Sequence, residues 1–467
     1  MTLLLNTTPA TPVRWHTVMP VDLPPYLEQN IADWLKQSAQ NVAWLTEMYG
    51  SPLNVVWPHT VAQNLAAMTA ATARFGIRAR FFYGVKVNQS QALLQAAAAA
   101  GAGADISSLQ ELQDALRTGL RGDRLCATGP AKTPDFLHEL MLHNVQIVVD
   151  SPQELNDIMT LTARWLPPSG SVRLLLRLRP EASAHGRFGL TSGEITRALE
   201  DIAACPRVQF VGFHFHLSGY AAHSRISAFF DLLPLLEKSR SLGLRPNTID
   251  IGGGLPVQYL ASDRYRAWIA GQQPADYHNA NVPTGFYPYG GETNAEQWLT
   301  QFLEGQDPQG RRVADVLREE ELTLCVEPGR SLVDQSAVTI FRVVRTRPQP
   351  DGHHVIFVEG SSFSACETWF NSEFLIDPIH VRCANDAQPA PFGQAWIAGH
   401  SCLDEDVIAH RLVRFRHLPQ PGDLLVFANT AGYQMDLLEN RFHRHPLPTR
   451  LVAWHTPLRR LAFSLDE

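Results

Sequence analysis

Cysteine is scarce and unpatterned: Cys126, Cys205, Cys325, Cys366, Cys383 and Cys402 are scattered over 467 residues with no C-x-x-C pair. Such spacing excludes a disulfide framework and a cysteine-built metal site, so reduced thiols are expected. The 18 histidines form no H-E-x-x-H arrangement, and no metal is expected. No apolar run reaches the roughly 18 residues needed to cross a bilayer. Met1 to Pro20 lacks a basic start followed by an apolar stretch, so a soluble, cytoplasmic protein is the expectation. Lysine and arginine form no dense cluster and the formal net charge is -7. Nothing there draws the chain to nucleic acid or to anionic lipid.

What is present is ordinary globular composition, with 45% hydrophobic and 18% charged residues, which argues against disorder. The length exceeds what one core organises and predicts two domains. Residues 1–25, rich in Thr and Pro, read as a poorly ordered lead-in, and Tyr26 to Tyr49 has helical spacing of Leu, Ile and Trp.

From Leu53 onward, short apolar runs alternate with longer amphipathic stretches. The strand candidates are Leu53–Val56, Ala79–Tyr83, Ala104–Ile106, Arg124–Ala127, Gln146–Val149, Arg173–Leu178, Phe210–Phe215, Thr248–Ile251 and Thr323–Val326. Helical stretches such as Thr60–Arg74, Leu109–Arg117, Ser192–Ala203 and Ile226–Ser241 lie between them. Eight or nine strand-helix repeats predict an α/β fold built on a (β/α)8 barrel. After Ser331 the rhythm changes to strands separated by Pro, Gly and Asp turns, as in Val338–Arg345, His354–Val358, Ala395–Ala398 and Leu424–Ala428. The expected organisation is therefore an N-terminal extension and helix over 1–48 that packs with the C-terminal domain, a barrel over 49–330, and a mainly β domain, a Greek-key barrel or sandwich, over 331–467.

Barrel chemistry sits at the carboxyl ends of strands, and four groups stand there. Lys86 follows Arg80-Phe81-Phe82-Tyr83 with apolar neighbours, a setting that suits an amine forming a Schiff base. Gly252-Gly253-Gly254 follows Thr248–Ile251, and its N–H groups can cradle a phosphate. Glu327-Pro328-Gly329-Arg330 offers a carboxylate and a guanidinium to two ends of one anionic aromatic cofactor. His214 and His216 share a face by period-two alternation. Taken singly, each has a plainer reading: a solvated lysine, a flexible turn, a local ion pair, a packed pair of rings.

Together and in this order, the four resemble the fold type III pyridoxal 5'-phosphate (PLP) decarboxylases, the family of ornithine, arginine and diaminopimelate decarboxylases. The resemblance runs from about Tyr49 to Pro446 and takes in Gly103-Ala104-Asp105-Ile106-Ser107-Ser108 with Glu111, Thr128-Gly129-Pro130-Ala131-Lys132-Thr133, and Val149-Asp150-Ser151 with Glu154-Leu155. Gly399-His400-Ser401-Cys402-Leu403-Asp404-Glu405-Asp406 resembles the family's cysteine loop, and Asn429-Thr430-Ala431-Gly432-Tyr433 its glycine-alanine-tyrosine segment.

The resemblance implies that Lys86 holds PLP covalently, that His216 stacks on its ring, and that Glu327 keeps the ring nitrogen protonated. It gives the phosphate to Gly252, Gly253, Gly254, Gly329, Arg330 and Tyr433, and the cofactor's other edge to Asp105, Glu111 and Arg177. Cys402, from the partner subunit of a homodimer, is the implied proton donor, with Asp404, Asp406 and Tyr433 beside the substrate.

Two departures bear on substrate. Ser218-Gly219 reverses the family's usual order, and Leu403 stands where relatives with a basic or amphoteric substrate carry an acid. Both resemble divergent members that serve siderophore assembly by decarboxylating citrate-linked amino acids. Arg187, His380, Arg382, Arg441, His443 and Arg444 are basic groups suited to such an anion. The alternatives are a decarboxylase of free diaminopimelate or ornithine, an amino-acid racemase and a non-catalytic relative. Glu327 speaks against the racemase, and the presence of Lys86 and Cys402 against the relative.

Overall fold

The computed structural model describes residues 3–4, 14–181, 185–364, 372–384, 389–437 and 441–466. Cys366 lies outside them. The chain divides into two compact units, one of 62–256 with 293–332 and the other of 1–61, 257–292 and 333–467.

In the first unit, strands Arg78–Gly84, Gly103–Ile106, Leu125–Ala127, Gln146–Val149, Val172–Arg177, Val208–His214, Thr248–Asp250 and Thr323–Val326 close a barrel. Each pairs in parallel with the next, and the last pairs with the first. Short strands buried along their whole length are what a parallel sheet covered on both faces requires. Phe82, Cys126, Val148, Leu175, Val211 and Cys325 pack as a layer inside the barrel. Two of the scattered cysteines are thus core filler, and burial pushes their thiols well above the ordinary range.

Helices begin sharply at the ends of the strand-to-helix turns. Ser108, Thr133, Ser151 and Thr191 each accept a first-turn N–H with the side-chain oxygen, and Thr191 forms a reciprocal box with Glu194. The single helix expected over Ile226–Ser241 is two, Ala222–Asp231 and Leu233–Ser241. Pro234 lacks the N–H a continuous helix needs and opens the second.

The second unit is a mixed, mostly antiparallel sheet of eleven strands among the described residues, with helices Gln29–Gln37 and Ala39–Tyr49. Leu53–Val56, expected as the first barrel strand, belongs to this sheet, antiparallel to Ala337–Pro348 and parallel to Thr449–His455. Segment 257–292, inside the span expected for the barrel, also belongs here. Val257, Tyr259, Leu260 and Tyr289 join Phe341, Ile356, Phe374 and Phe427 in one apolar core. Part of the expected lead-in is ordered too: Arg14–Val18 pairs with Ile379–Ala384. Ile31, Trp34, Leu35 and Val42 of the two helices pack on Leu53, Val338, Val426 and Leu451. No described helix is long and apolar enough to cross a membrane.

Candidate active site

The carboxyl ends of the barrel strands surround a cavity of about 350 Å³ lined by Lys86, Arg177, Arg187, Phe188, His214, His216, Glu327 and the 128–132 segment. Lys86 stands in a tight turn, Val85–Val87, whose two valines are buried and aim the lysine away from the core. Its Nζ donates to Asp105 Oδ2 at 2.7 Å, and the Thr128 hydroxyl donates to Asp105 Oδ1 at 2.6 Å. Asp105 is fully buried; burial first and Glu327 second push its carboxyl upward, while Lys86 pulls it back.

Glu327 enters at the end of Thr323–Val326, its backbone N–H bonded to Gly252 O at 2.9 Å. His214 Nε2 lies 3.3 Å from Glu327 Oε1, without the alignment of a hydrogen bond. Asp250 and Cys126 converge with Glu327 to within 4.8 Å of one another. Burial lifts both carboxyls, and Lys86 pulls both back down.

The glycine turn is built for close approach. A Cβ at Gly252 would lie 2.5 Å from His216 Nδ1, one at Gly253 2.6 Å from Glu327 O, and one at Gly254 inside the Arg225 guanidinium. Gly252 and Gly254 also have φ of +65° and +83°, where side chains are strained. Gly253 N–H donates to His216 Nδ1 at 3.2 Å, which places the ring proton on Nε2. Burial, then Lys86, pushes the His216 imidazole well below its usual range, so it is neutral at pH 7. The same first cause keeps His214 neutral.

Several groups do work that sequence reasoning did not assign. Arg177 Nη1 pairs with Asp150 Oδ1 at 2.9 Å and its guanidinium lies over the Phe188 ring at 4.6 Å. Lys132 is buried and saturated by Gly129 O, Val148 O and Glu154 Oε1, while Glu154 Oε2 takes the Asp150 N–H. The sequence strings containing Lys132, Asp150 and Glu154 matched the family, but nothing in them distinguished support from contact.

Arg225 had no signal at all. It is wholly buried, and its Nη2 donates to the carbonyls of Leu217, Gly219 and Gly253, clamping the glycine turn from behind. Arg225→Met keeps the stem but strands three carbonyls, and we expect a loss of about 3–5 kcal/mol in urea unfolding. A loss under about 1 kcal/mol would show that water satisfies the turn instead.

The remaining expected residues divide. Gly329 lies behind Gly84, where a Cβ would be 3.9 Å from both Gly329 Cα and Lys86 Nζ, and Arg330 is buried next to it in sequence. Glu111, expected at the cofactor, takes the Ser107 N–H and caps its own helix, a job its position in the first turn dictates.

Cys402, Asp404, Asp406 and Tyr433 belong to the other unit. Cys402 and Asp404 are exposed. Asp406, expected at the substrate, is buried, and its oxygens accept the Ser362 N–H at 2.7 Å and the Ser401 N–H at 3.0 Å. It braces the cysteine loop. Tyr433 is half-buried with φ of 81°, its N–H bonded to Ala431 O. Of the basic groups suited to an anion, His380 is buried against Asp423 at 2.8 Å and is spent there.

The barrel residues suit the cofactor that the resemblance implies. Glu327 keeps Oε1 buried without a hydrogen-bond partner, an acceptor suited to a protonated ring nitrogen. The glycine turn tolerates no Cβ, and Lys86 lines the same cavity as Glu327 and His216.

A profile of the pyridoxal-binding domain of pyridoxal-dependent decarboxylases matches residues 61–271. The protein y4yA of Sinorhizobium fredii is 49% identical, covering 92% of this chain and 94% of that one. The diaminopimelate decarboxylase of Bacillus subtilis is 23% identical over 90% of each. The crystal structure of diaminopimelate decarboxylase from Helicobacter pylori complexed with L-lysine has the same fold, with a TM-score of 0.70, 18% identity and coverage of 91% of this chain and 96% of that one. With a closed barrel, a lysine at the end of its first strand and these likenesses, the chain belongs to the fold type III PLP-dependent decarboxylases, carboxy-lyases of amino acids whose cofactor is pyridoxal 5'-phosphate.

Proposed function

We propose that the protein decarboxylates an amino acid carrying a distal anionic group, with a citryl-amino acid of siderophore assembly as the best-fitting substrate. Arg187 carries this reading. It lines the cavity with its guanidinium 4.3 Å from the Phe188 ring centroid, and no carboxylate pairs with it among the described residues. Arg177 is neutralised by Asp150 and Lys132 by Glu154, so Arg187 is the cation left to meet a substrate carboxylate. Leu403, 41% exposed after Cys402, offers nothing to a distal ammonium.

Lys86 holds the cofactor covalently and is positioned by Asp105. Gly252, Gly253, Gly254, Gly329, Arg330 and Tyr433 hold its phosphate, His216 is the aromatic wall, and Glu327 faces the ring nitrogen. Bound there, the cofactor supplies an aldehyde that condenses with amines and a ring that takes up the electron pair left when carbon dioxide departs. Cys402, supplied by a second copy of the chain, gives its thiol proton to the carbon that has lost carbon dioxide. The shared site makes the working form a homodimer, and scattered cysteines with no C-x-x-C pair suit a cytoplasmic setting.

A screen that follows carbon dioxide release tests the substrate. Citrate conjugates of serine and diaminopropionate are expected to react, and Arg187→Ala to raise KM about 10- to 100-fold, the worth of one charge-assisted contact. Rapid release from lysine, ornithine or meso-diaminopimelate would overturn the anionic-substrate reading. Turnover without carbon dioxide would favour a racemase.

A further inference from the structure

We propose that His443 is the positioning and proton-relay partner of Cys402, an inference that rests on the reading of Cys402 as proton donor. Cys402 Sγ lies 3.1 Å from His443 Nε2, and the Cys402 backbone N–H points at the same nitrogen at 3.5 Å. A backbone N–H can only donate, so Nε2 presents a lone pair, and the thiol hydrogen has the same acceptor to point to.

Both sides of the pair are held in place. Behind Cys402, Asp406 takes the N–H groups of Ser401 and Ser362, and a Cβ at Gly399 would collide with its carboxylate. On the other side, His443 and Arg444 both sit in the left-handed region, with φ of 54° and 61°. Two successive non-glycine residues persist there only where their surroundings over-determine them. The Phe442 ring meets the His443 ring edge to face at 4.2 Å. His443 itself is exposed, so its ring exchanges protons with water directly.

The chemistry needs such a partner. When the thiol protonates the substrate carbon, its S–H bond breaks, a C–H bond forms and a thiolate remains. Water protonates the imidazole, Nε2–H passes that proton to sulfur, and the ring returns to neutral. The net change is one solvent proton gained by the carbon for each carbon dioxide lost. An imidazole at hydrogen-bond distance is also the usual activator of a thiol toward alkylation.

The test uses PLP-loaded protein without substrate and measures carboxamidomethylation of Cys402, located by mass spectrometry. His443→Gln retains an amide acceptor but takes no proton, so we expect alkylation at neutral pH to slow about tenfold, with circular dichroism and cofactor content unchanged. Turnover falls in His443→Ala and is restored by added imidazole, which a merely structural contact would not allow. Alkylation and turnover within about twofold of wild type in both variants overturn the proposal. Cys402→Ala with wild-type turnover sinks the donor role of Cys402, and the relay with it. Unchanged alkylation in His443→Gln beside a crippled Cys402→Ala sinks only the relay.

Discussion

Replacing Lys86 by Ala is expected to abolish the visible absorbance of the bound cofactor after dialysis and to lower turnover by about 10⁴-fold or more. The size of the loss follows from what else is in the cavity. Lys132 is the other lysine on its lining, and its ammonium is locked by two carbonyls and Glu154, so it cannot replace the missing amine. Some stability should be lost as well, because Lys86 Nζ sits 2.7 Å from the buried Asp105 carboxylate and its charge also offsets Glu327. Loss of the colour in a protein that keeps the wild-type circular dichroism therefore isolates covalent attachment. On the proposed shared site, mixing Lys86→Ala with Cys402→Ala should regain activity, since some mixed dimers would keep one intact lysine and one intact cysteine together. A Lys86→Ala protein that keeps its absorbance after dialysis would refute the assignment.

How far the chain was legible depended on whether its signals were local. The eight barrel strands announced themselves because a parallel strand covered on both faces is a short apolar run, and Gln146–Val149 and Thr323–Val326 were found at their observed bounds. Leu53–Val56 has the same signature, buried at all four positions. What separates it is its pairing with Ala337–Ile340 and Thr449–Val452, nearly three hundred residues or more away, which no local pattern encodes. Segment 257–292 misled for the same reason, since the aromatic core of Tyr259, Tyr289 and Phe374 forms only in three dimensions. Strands Val407–Phe415, Thr449–His455 and Leu461–Leu465 went unnamed, and the last two each lie between two partner strands in the sheet.

In the site, Lys86, His216, the three glycines and Glu327 were readable from residue type at strand ends. Arg225 was not, because an arginine in a helix normally points to water and only the glycine carbonyls behind it explain its burial. Glu111 and Asp406 show the converse case. Both carboxylates stood in family motifs, yet Glu111 accepts the Ser107 N–H and Asp406 those of Ser362 and Ser401, and a motif does not reveal which members touch the ligand and which hold the loop.

Glu327→Gln is expected to lower turnover about 10²- to 10³-fold while the cofactor stays bound and coloured, because Lys86 is intact and only the charge proposed to face the ring is gone. The stability change should have the opposite sign. Burial raises the Glu327 pKa above its ordinary 4.5, with Lys86 and Arg177 opposing. A folded-state value above the unfolded one means that stability is complete below pH 4.5 and is lost as pH rises through the raised value. At neutral pH the wild-type apoprotein therefore bears the cost of a buried charge beside the equally buried Asp250. The glutamine variant does not, so its apoprotein should resist urea at least as well as wild type, with the advantage growing from pH 5 to pH 8. A residue that weakens the fold and is indispensable to turnover is held for its chemistry. A variant that lost activity and stability together would show instead that the carboxylate's main task is to hold the strand ends in place.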